Sequence, residues 1–179
     1  MIDLKVPVIE TERLRLRGRT LEDFPFFLEM WKDPTVTRFI GGKPREEEET
    51  WTKYLRMLGH WSVMGYGYWA VEEKAKGNLI GEVGFGDFKR DMSPSIKGEP
   101  EIGWVLAPCA HGKGYATEAT LAAVFWGDKN LMAARMSCII EPEHGASIRI
   151  AEKCEFQETA RTTYHGEEIV LLHRPISGK

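Results

Sequence analysis

The sequence predicts a mixed α/β (α+β) fold in one domain, residues 1–179, with a mostly antiparallel central sheet flanked by helices. The length of 179 residues suits a single domain with a sizeable core. Strands and helices are expected in the order β-α-α-β-β-β-α-β-α-β-β, which is not a strict strand–helix repeat. Two short turn signals, Lys76-Gly-Asn78 and His165-Gly166, are typical of antiparallel hairpins.

The first third of the chain predicts one strand and two helices. Val8–Arg17 alternates leucine with arginine towards its end, which is the pattern of a half-buried strand. Thr20 is the expected N-cap of a first helix that ends at Lys32, because the residue before Pro34 avoids the α conformation. A second helix is expected over residues 45–61. The apolar faces of these helices are expected to carry Leu21, Phe24, Leu28 and Trp31, and then Trp51, Leu55 and Leu58.

The middle of the chain predicts three strands and one long loop. Gly65–Glu73 and Asn78–Lys89 read as two strands joined by the first hairpin turn. Arg90–Pro100 is polar and has no periodicity, so a mobile loop is expected there. The next strand, Glu101–Leu106, ends before Pro108, which has no N–H to give to a ladder.

The last third of the chain predicts two helices, a short strand and a hairpin. An alanine-rich helix is expected over Thr117–Lys129. A strand at Ala133–Glu141 and a helix at Glu143–Lys153 follow it. The segments Phe156–Thr163 and Glu167–Arg174 form the final antiparallel hairpin.

Composition and charge narrow the functional class. Hydrophobic residues make up 42% of the chain and charged residues 28%, as in ordinary globular proteins. The net charge of −3 gives no electrostatic reason to expect nucleic acid or an anionic membrane as a partner. No apolar run is long enough to span a bilayer, and the first residues lack the order of a signal peptide. A cytoplasmic protein is therefore expected.

The cysteines do not predict a disulfide framework or a metal site. Cys109, Cys138 and Cys154 are odd in number and widely spaced, so free thiols are expected. Cys109 and His111 could form half of a metal site with His144. No second pair of ligands stands at finger-like spacing, so no metal is expected.

The strongest functional signal is a glycine loop between a strand and a helix. His111-Gly-Lys-Gly-Tyr-Ala116 follows the strand Glu101–Leu106 and would present free N–H groups at a helix N-terminus, where anions commonly bind. It is not a P-loop, because Ala107 stands at the first glycine position and Gly114 follows the lysine. It is not a dinucleotide fingerprint, because Thr117 replaces the third glycine or alanine.

These stretches resemble the Gcn5-related N-acetyltransferase (GNAT) superfamily, and most of all its RimJ/RimL-like branch. The family loop is Gln/Arg-x-x-Gly-x-Gly/Ala, which Gly114 and Ala116 match, while His111 stands where Gln or Arg is usual. With further matches around the predicted strands, the resemblance extends from Glu10 to Arg174. It implies a GNAT-like sheet that splits where acetyl-CoA enters as cosubstrate.

The resemblance also implies which residues hold the acetyl-CoA. The backbone of the glycine loop would bind the pyrophosphate, and the backbone of the preceding strand would pair with the pantetheine arm. His144 replaces the usual Asn and is expected to substitute for it in a CoA or acceptor contact. The implied cofactor-binding residues are Trp104, Val105, Leu106, His111, Gly112, Lys113, Gly114, Tyr115, Ala116, Thr117, His144 and Ser147.

The family mechanism is direct attack of an amine on the thioester. Family members often use a carboxylate on this strand as general base through a water, which makes Glu101 the candidate here. A base is needed because a protonated amine with a pKa near 10 cannot attack at neutral pH without help. A solvated carboxylate at the strand end is an equal alternative for Glu101, and Glu82 is a weaker candidate for the base. The N–H of Val105 or Leu106 would donate to the oxyanion.

Ser147 is the candidate acid for the thiolate leaving group. Many family members carry a tyrosine for this purpose where this chain has Ala151. The omission is chemically mild, because a thiol pKa near 8.5 already makes thiolate a fair leaving group. A helix-capping role for Ser147 is an equal alternative.

The expected acceptor is a primary amine, either a protein N-terminus or a small molecule, and the protein is expected to be a monomer or a homodimer. Tyr164 and His165 stand where the family places acceptor-side residues, although a plain turn also accounts for them. The alternative function is a non-catalytic acyl-CoA-binding or regulatory domain on the same fold. It is suggested by the joint loss of the usual Gln/Arg, Asn and Tyr.

Overall fold

The computed structural model describes residues 6–176, which form one mixed sheet with helices on both faces. The strands are β1 (Ile9–Glu10), β2 (Leu14–Arg17), β3 (Tyr68–Glu73), β4 (Asn78–Gly86), β5 (Glu101–Leu106), β6 (Arg135–Ile140), β7 (Gln157–Tyr164) and β8 (Glu167–Pro175). The helices are α1 (Phe24–Lys32), α2 (Pro34–Thr37), α3 (Glu47–Met64), α4 (Tyr115–Asn130) and α5 (Gly145–Lys153).

The eight described strands lie in the order β1-β2-β3-β4-β5-β6-β8-β7. Of these neighbours, β5 and β6 run parallel and the other pairs run antiparallel. The mixed α+β class and the mostly antiparallel sheet expected from the sequence are therefore confirmed. Among the residues that the structure describes, no helix is both long and apolar enough to cross a membrane.

The N-terminal strand expected as one piece is two strands. β1 and β2 pair antiparallel, with Ile9 opposite Leu16, and a turn separates them. The hydroxyl of Thr11 accepts from the Leu14 N–H at 2.9 Å and closes this turn. A single side-chain bond to the backbone thus interrupts a pattern that alternation alone predicts as continuous.

The first helix begins as a 3₁₀ turn, Leu21–Asp23, before α1. Thr20 and Asp23 form a capping box at its start, as the sequence predicts. A 3₁₀ turn has fewer residues per turn than an α-helix, so the buried stripe differs from the one that a continuous α-helix predicts. The buried residues of α1 are Phe27, Met30 and Trp31, whereas Leu21 is exposed.

The buried stripe of α3 also differs from the expected one. The exposed residues include Trp51 and Leu55, and the buried residues are Thr50, Tyr54, Met57 and Trp61. The two stripes are adjacent on the helix, and polar partners favour the second. The Tyr54 hydroxyl donates to the Thr20 carbonyl, and Trp61 Nε1 donates to the Tyr68 carbonyl.

The sheet is split between its two central strands. β5 and β6 are joined at one register position, Glu101 opposite Ser137, where the Ser137 N–H donates to the Pro100 carbonyl at 3.1 Å. Beyond this position β5 continues to Leu106 and β6 to Ile140, and no further pair of described residues joins them. The split leaves backbone N–H and C=O groups of β5 open for another partner.

Two hydrophobic clusters cover the two faces of the sheet. Adjacent residues of β3 fall in different clusters, Trp69 with α4 and α5, and Ala70 with α1 and α2. This separation follows from the alternation of side chains along a strand. Val105 packs with the cluster on the α1 face, while Trp104 packs with the cluster on the α4 face.

Gly103 makes room for the hydroxyl of Tyr68, which reaches across β4 to β5. A Cβ at this position would lie 2.2 Å from Tyr68 Oη, and the next nearest atom, Cζ, would lie 3.4 Å away. We expect Gly103→Ala to lower the free energy of unfolding by about 1–3 kcal/mol, as overpacking does. Urea denaturation followed by tryptophan fluorescence measures this change.

The control for this prediction is the same substitution in the Tyr68→Phe background. Without the hydroxyl, the added methyl meets only the ring carbon at ordinary contact distance. We therefore expect Gly103→Ala to cost markedly less in that background. An equal cost in both backgrounds would contradict the contact as the cause.

Candidate active site

A cavity of about 780 Å³ lies at the split of the sheet. Its wall is formed by the diverging ends of β5 and β6, by the helices on the α1 face and by the tip of the β7–β8 hairpin. Eight residues singled out from the sequence as site candidates meet in this wall. They are Glu82, Glu101, Trp104, Val105, His144, Ser147, Tyr164 and His165.

The backbone of β5 presents alternate residues to the opening. The Ala107 N–H donates to the Ile80 carbonyl of β4 at 2.8 Å, and Val105 lies two residues earlier in the same ladder. Because hydrogen bonding alternates along an antiparallel strand, the Val105 N–H also points to β4. The N–H groups of Trp104 and Leu106 point to the opening instead. Of the two oxyanion donors considered from the sequence, the geometry favours Leu106 over Val105 and adds Trp104.

The glycine loop lies beyond the end of β5, outside the cavity wall, and leads directly into α4. The helix begins at Tyr115, earlier than the expected start at Thr117, and Gly114 is its N-cap. Gly112 and Gly114 have φ angles of +73° and +78°, which glycine adopts without strain. The first N–H groups of α4, including that of Ala116, have no acceptor within the helix. They are available to an anion at the mouth of the split.

Arg13 holds the loop from the side of β2. Its Nη1 donates to the Lys113 carbonyl at 2.9 Å, and its Nε donates to Glu118 at 2.6 Å. The Lys113 side chain is exposed. Tyr115 turns away from the opening, because its hydroxyl donates to Glu73 at 2.6 Å. The loop is thus fixed by its backbone, and its N–H groups remain its functional part.

His111 connects the loop to the end of β5. Its Nε2 lies 2.8 Å from the Leu106 carbonyl, and because a carbonyl only accepts, Nε2 carries the proton. The ring therefore satisfies a backbone acceptor of the open strand edge. The Gln or Arg that is usual at this position is replaced by a side chain that contacts the strand.

His144 and Ser147 lie together on the opposite side of the split. His144 is the N-cap residue of α5, and its ring stacks on Phe39 with the ring centroids 4.4 Å apart. Ser147 Oγ lies 3.3 Å from His144 Nε2, and no side-chain cap bond is formed at this helix start. The Ser147 hydroxyl thus contacts the imidazole, which does not support the capping alternative. Burial lowers the pKa of His144, and the neighbouring His111 lowers it further.

Glu101 is a buried carboxylate held by an arginine. Arg90 donates from Nε and Nη2 to its two oxygens at 2.6 and 2.7 Å, and Glu101 is only 6% exposed. The guanidinium of Arg90 also lies 4.9 Å from the centroid of the Tyr164 ring. The alternative of a solvated strand-end carboxylate is therefore wrong. Each carboxylate oxygen has a second lone pair, which stays open to a proton or a water.

Glu82 is the second buried carboxylate of the cavity. Arg19 Nη2 lies 2.7 Å from it and Lys53 Nζ lies 3.5 Å from it. Burial raises the pKa of Glu82, but the charges of Lys53 and Arg19 outweigh burial and hold the pKa below its ordinary value. Burial lowers the pKa of Lys53 to about 8, although Glu82 opposes the shift. Glu82 is thus an ionised partner of two cations at neutral pH.

Several cavity residues were missed from the sequence. Lys53 and Arg56 lie three residues apart on α3, beside the buried residues Tyr54 and Met57. The sequence could have indicated Lys53 and Arg56, because their helical spacing places two cations beside an apolar stripe. Arg90 was missed because it lies in the segment expected as a mobile loop. The other missed members of the wall include Trp31, Arg38, Phe39, Arg45, Tyr68 and Phe88.

The described residues hold no group of three or more His, Cys, Asp or Glu side chains arranged to bind a metal ion. Cys109 is exposed, and Cys138 and Cys154 are buried free thiols. Burial raises the pKa of both buried thiols. These cysteines are therefore protonated core side chains at neutral pH.

The split thus brings together an open strand edge, a helix N-terminus at its mouth and a buried carboxylate. Residues 13–157 match the family model described as "Acetyltransferase (GNAT) domain". The chain therefore belongs to the GNAT family and is an acetyltransferase enzyme.

Known proteins agree with this assignment. An uncharacterized N-acetyltransferase, p20, of Bacillus licheniformis is 30% identical over 149 residues, which cover 83% of this chain and 81% of that protein. The structure of a protein of Bordetella pertussis assigned to the GnaT-family acetyltransferases superposes with a TM-score of 0.84 at 25% identity, covering 94% of this chain and 99% of that one. RimL, a ribosomal L7/L12 α-N-protein acetyltransferase in complex with coenzyme A, has the same fold at 16% identity, with a TM-score of 0.77 and coverage of 97% and 100%.

The depressed pKa of His144 makes stability depend on pH. Because folded His144 resists protonation, the unfolded chain binds more protons below the ordinary histidine pKa of about 6.5. The associated stability is fully present above that value and is lost as the pH falls through the lower folded pKa. We expect His144→Asn, which does not titrate, to lose less free energy of unfolding between pH 7.5 and pH 5 than the wild type.

Urea denaturation at the two pH values measures both losses. His173, whose pKa is also lowered by burial, is present in both proteins and cancels from the comparison. Equal losses in the two proteins would contradict a buried, neutral His144.

Proposed function

We propose that the protein is an acetyl-CoA-dependent N-acetyltransferase that transfers an acetyl group to a primary amine, either a protein N-terminus or a small-molecule amine. The observation that carries the proposal is the split beside α4, which offers the open edge of β5 and a helix N-terminus to one ligand. Coenzyme A has a peptide-like pantetheine arm and a pyrophosphate, and these groups fit those two features in that order. The coenzyme A in the RimL complex supports this choice of ligand by analogy of fold.

The residues of this chain would hold the cofactor mainly through backbone groups. The pyrophosphate would accept from the N–H groups of residues 112–117 at the start of α4. The pantetheine arm would pair with the N–H of Trp104 and Leu106, as an added strand pairs with a sheet edge. His111 already occupies the Leu106 carbonyl, so it would limit how far that pairing extends.

Glu101 is the proposed general base. It lies at the joined end of the split, where an amine that approaches along the cavity would meet the thioester. The carboxylate would take the amine proton directly or through a water, using the lone pairs that Arg90 leaves free. Glu82 is less suited to this role, because two cations stabilise its ionised form.

Ser147 is the proposed acid for the departing thiolate. Its hydroxyl lines the cavity opposite β5 and can receive a proton from solvent or relay one through His144, 3.3 Å away. The developing oxyanion would accept from the N–H of Leu106 or Trp104, which face the opening. These groups complete direct attack, with the amine proton leaving to Glu101 and the proton on sulfur supplied from the Ser147 side.

Cofactor binding is tested at the glycine loop. Acetyl-CoA should raise the melting temperature of the wild type, because a ligand of the native state stabilises it. Gly114→Ala strains a residue with φ of +78° in the loop, and we expect its Kd for acetyl-CoA to rise by about tenfold, equal to 1.4 kcal/mol. Isothermal calorimetry with acetyl-CoA measures the affinity.

The matched control is Gly77→Ala, since Gly77 also has a positive φ, +67°, and an added Cβ would have open space there. It lies in the turn between β3 and β4, so it should lose stability without losing acetyl-CoA affinity. Equal loss of affinity in both variants would contradict the assignment of the loop.

The base is tested by Glu101→Gln, with Glu82→Gln as the comparison. We expect Glu101→Gln to lower kcat at pH 7 by ~10²–10⁴-fold, the usual contribution of a positioned base. The deficit should shrink as the pH approaches the pKa of the acceptor amine, about 8 for a peptide N-terminus and about 10 for an alkylamine, because the amine then loses its proton without help. CoA release, measured against a panel of amines and N-terminal peptides, provides the rates.

A deficit that stays constant with pH would indicate that Glu101 only positions Arg90. If Glu82→Gln shows the pH-dependent deficit instead, the base is Glu82. Tight acetyl-CoA binding by the wild type without turnover across a broad panel would favour a regulatory acyl-CoA-binding domain.

A further inference from the structure

The wall of the cavity on the α1 face carries more cationic than anionic side chains. Arg45, Lys53 and Arg56 line the cavity, and Arg19 is buried behind them. The four lie close enough that their charges affect one another or that they share Glu82 as a neighbour. We call this group the cationic wall. Trp31 supports it, because the Arg45 guanidinium and the Lys53 ammonium lie 4.8 and 4.7 Å from the centroid of its indole ring.

Only part of this positive charge is neutralised within the described residues. Arg19 pairs with Glu82 at 2.7 Å, and Lys53 shares the same carboxylate at 3.5 Å. The other buried carboxylate, Glu101, is paired with Arg90 and not with a member of the wall. Glu49 is near enough for its charge to act on Arg45, but of the two carboxylates near the four cations only Glu82 forms ion pairs with them among the described residues.

Arg45 and Arg56 form no ion pair with another described residue, and both line the cavity. The Nε of Arg45 is buried and has no hydrogen-bond acceptor among the residues that the structure describes. Arg56 is held over the Phe88 ring, with its guanidinium carbon 5.2 Å from the ring centroid. Burial of a guanidinium donor without an acceptor is unfavourable, so a ligand that supplies one is bound preferentially.

The cationic wall is separate from the anion site expected for the cofactor. The N-terminus of α4 belongs to the other face of the sheet, where α4 packs with Trp69 and Phe85. The wall packs instead with α1 and α3 through Trp31 and Tyr54. It lies beside the amine path, because Glu82 is directly opposite Val105 in the β4–β5 ladder.

The cavity also has an acidic corner on its other side. Glu141 follows β6 and Glu167 begins β8, and burial together with Glu167 raises the pKa of Glu141. Positive and negative walls therefore face the same space. A polycation would be repelled by Arg45 and Arg56, whereas a molecule with both an amine and an anionic group fits the two walls.

We propose that the acceptor carries a carboxylate that Arg45 and Arg56 bind, which places its amine towards Glu101 and the thioester. This proposal rests on the proposed function and specifies its acceptor as an acidic amine. A guanidinium fork binds a carboxylate through two parallel hydrogen bonds, and Arg45 offers its fork at a partly buried site. The carboxylate belongs either to a small amino acid or to a side chain next to a peptide N-terminus, and both sources present the same chemistry.

Pairs of compounds that differ only in the carboxylate test this proposal. The small-molecule pairs are the α-amides of glutamate and aspartate, which keep only the side-chain carboxylate, against the α-amides of glutamine and asparagine, which have none. The peptide pairs carry Asp or Glu against Asn or Gln as the second residue of an amidated tripeptide. Binding to the CoA-loaded enzyme is measured by calorimetry, and turnover is measured by CoA release.

We expect the wild type to bind the acid member of one series at least tenfold more tightly than its amide. Arg56→Gln and Arg45→Gln should each reduce this ratio towards one, while Arg45→Lys should retain part of it. The control is Arg161→Gln, which removes one positive charge from an exposed site on β7. It should leave the ratio unchanged, and circular dichroism confirms that each variant is folded.

A preference for the acid in the small-molecule series identifies an amino acid as the source of the carboxylate, and a preference in the peptide series identifies a side chain next to a peptide N-terminus. A ratio near one in both series for the wild type overturns the proposal, as does a preference that persists in the double variant Arg45→Gln, Arg56→Gln. Absence of binding by every acid member also overturns it. Preferential binding of the acids without any CoA release supports the carboxylate site and contradicts the acetyl transfer, so the two failures are distinguishable.

Discussion

The molecule depends on the point where β5 and β6 meet and then separate. One register pair, Glu101 with Ser137, joins the two halves of the sheet, and the strands diverge from it. If pairing continued, the backbone groups of Trp104 and Leu106 would be consumed within the sheet. Because it stops, the sheet contains an internal edge that is shielded from other chains and open to a ligand. Such an edge has the binding capacity of an outer strand without its tendency to aggregate.

The second constraint is the burial of charge around this edge. Two carboxylates, Glu82 and Glu101, lie deep in the cavity, and each is held by an arginine from a different part of the chain. Arg19 comes from the segment before α1 and Arg90 from the loop before β5. Each carboxylate needs its cation, because a buried ion without a partner is strongly unfavourable. These pairs connect the loop and the N-terminal segment to the central strands, so the charges of the site also fix its walls.

The sequence predicted correctly those elements whose patterns extend over only a few residues. The glycine loop, the strand before it and the final hairpin were expected close to where they occur, because turns, glycine and alternation act over a few residues. The expected buried faces were wrong at Leu21, Trp51 and Leu55, whereas Trp31 is buried as expected. In α3 two neighbouring stripes are similarly apolar, and a tertiary bond such as Tyr54 to Thr20 decides between them. The Arg90–Glu101 pair could not be foreseen, because a polar segment without periodicity gives no sign of its partner.

The sequence also could not predict in which direction individual backbone N–H groups of β5 point. Whether the N–H of Val105 or of Leu106 faces the opening depends on the register of β4 against β5, which no pattern within β5 specifies. Similarly, His111 was expected at the phosphate loop, and its ring instead contacts the strand end. In both cases the identity of the residue was informative, while its role required the position of a second element.

The cavity has two sides, one made of backbone groups and one made of side chains, and substitutions can change the second without the first. One side offers backbone groups of β5 and of the start of α4, which many side-chain substitutions leave intact. The opposite side consists of side chains from α3 and from the tip of the β7–β8 hairpin, such as Lys53, Arg56 and Tyr164. Replacements on α3 can therefore alter the side chains of the cavity while the backbone groups of β5 and α4 stay unchanged. Related proteins with this fold can therefore differ in the side chains of α3 and of the β7–β8 hairpin while they share the same backbone edge.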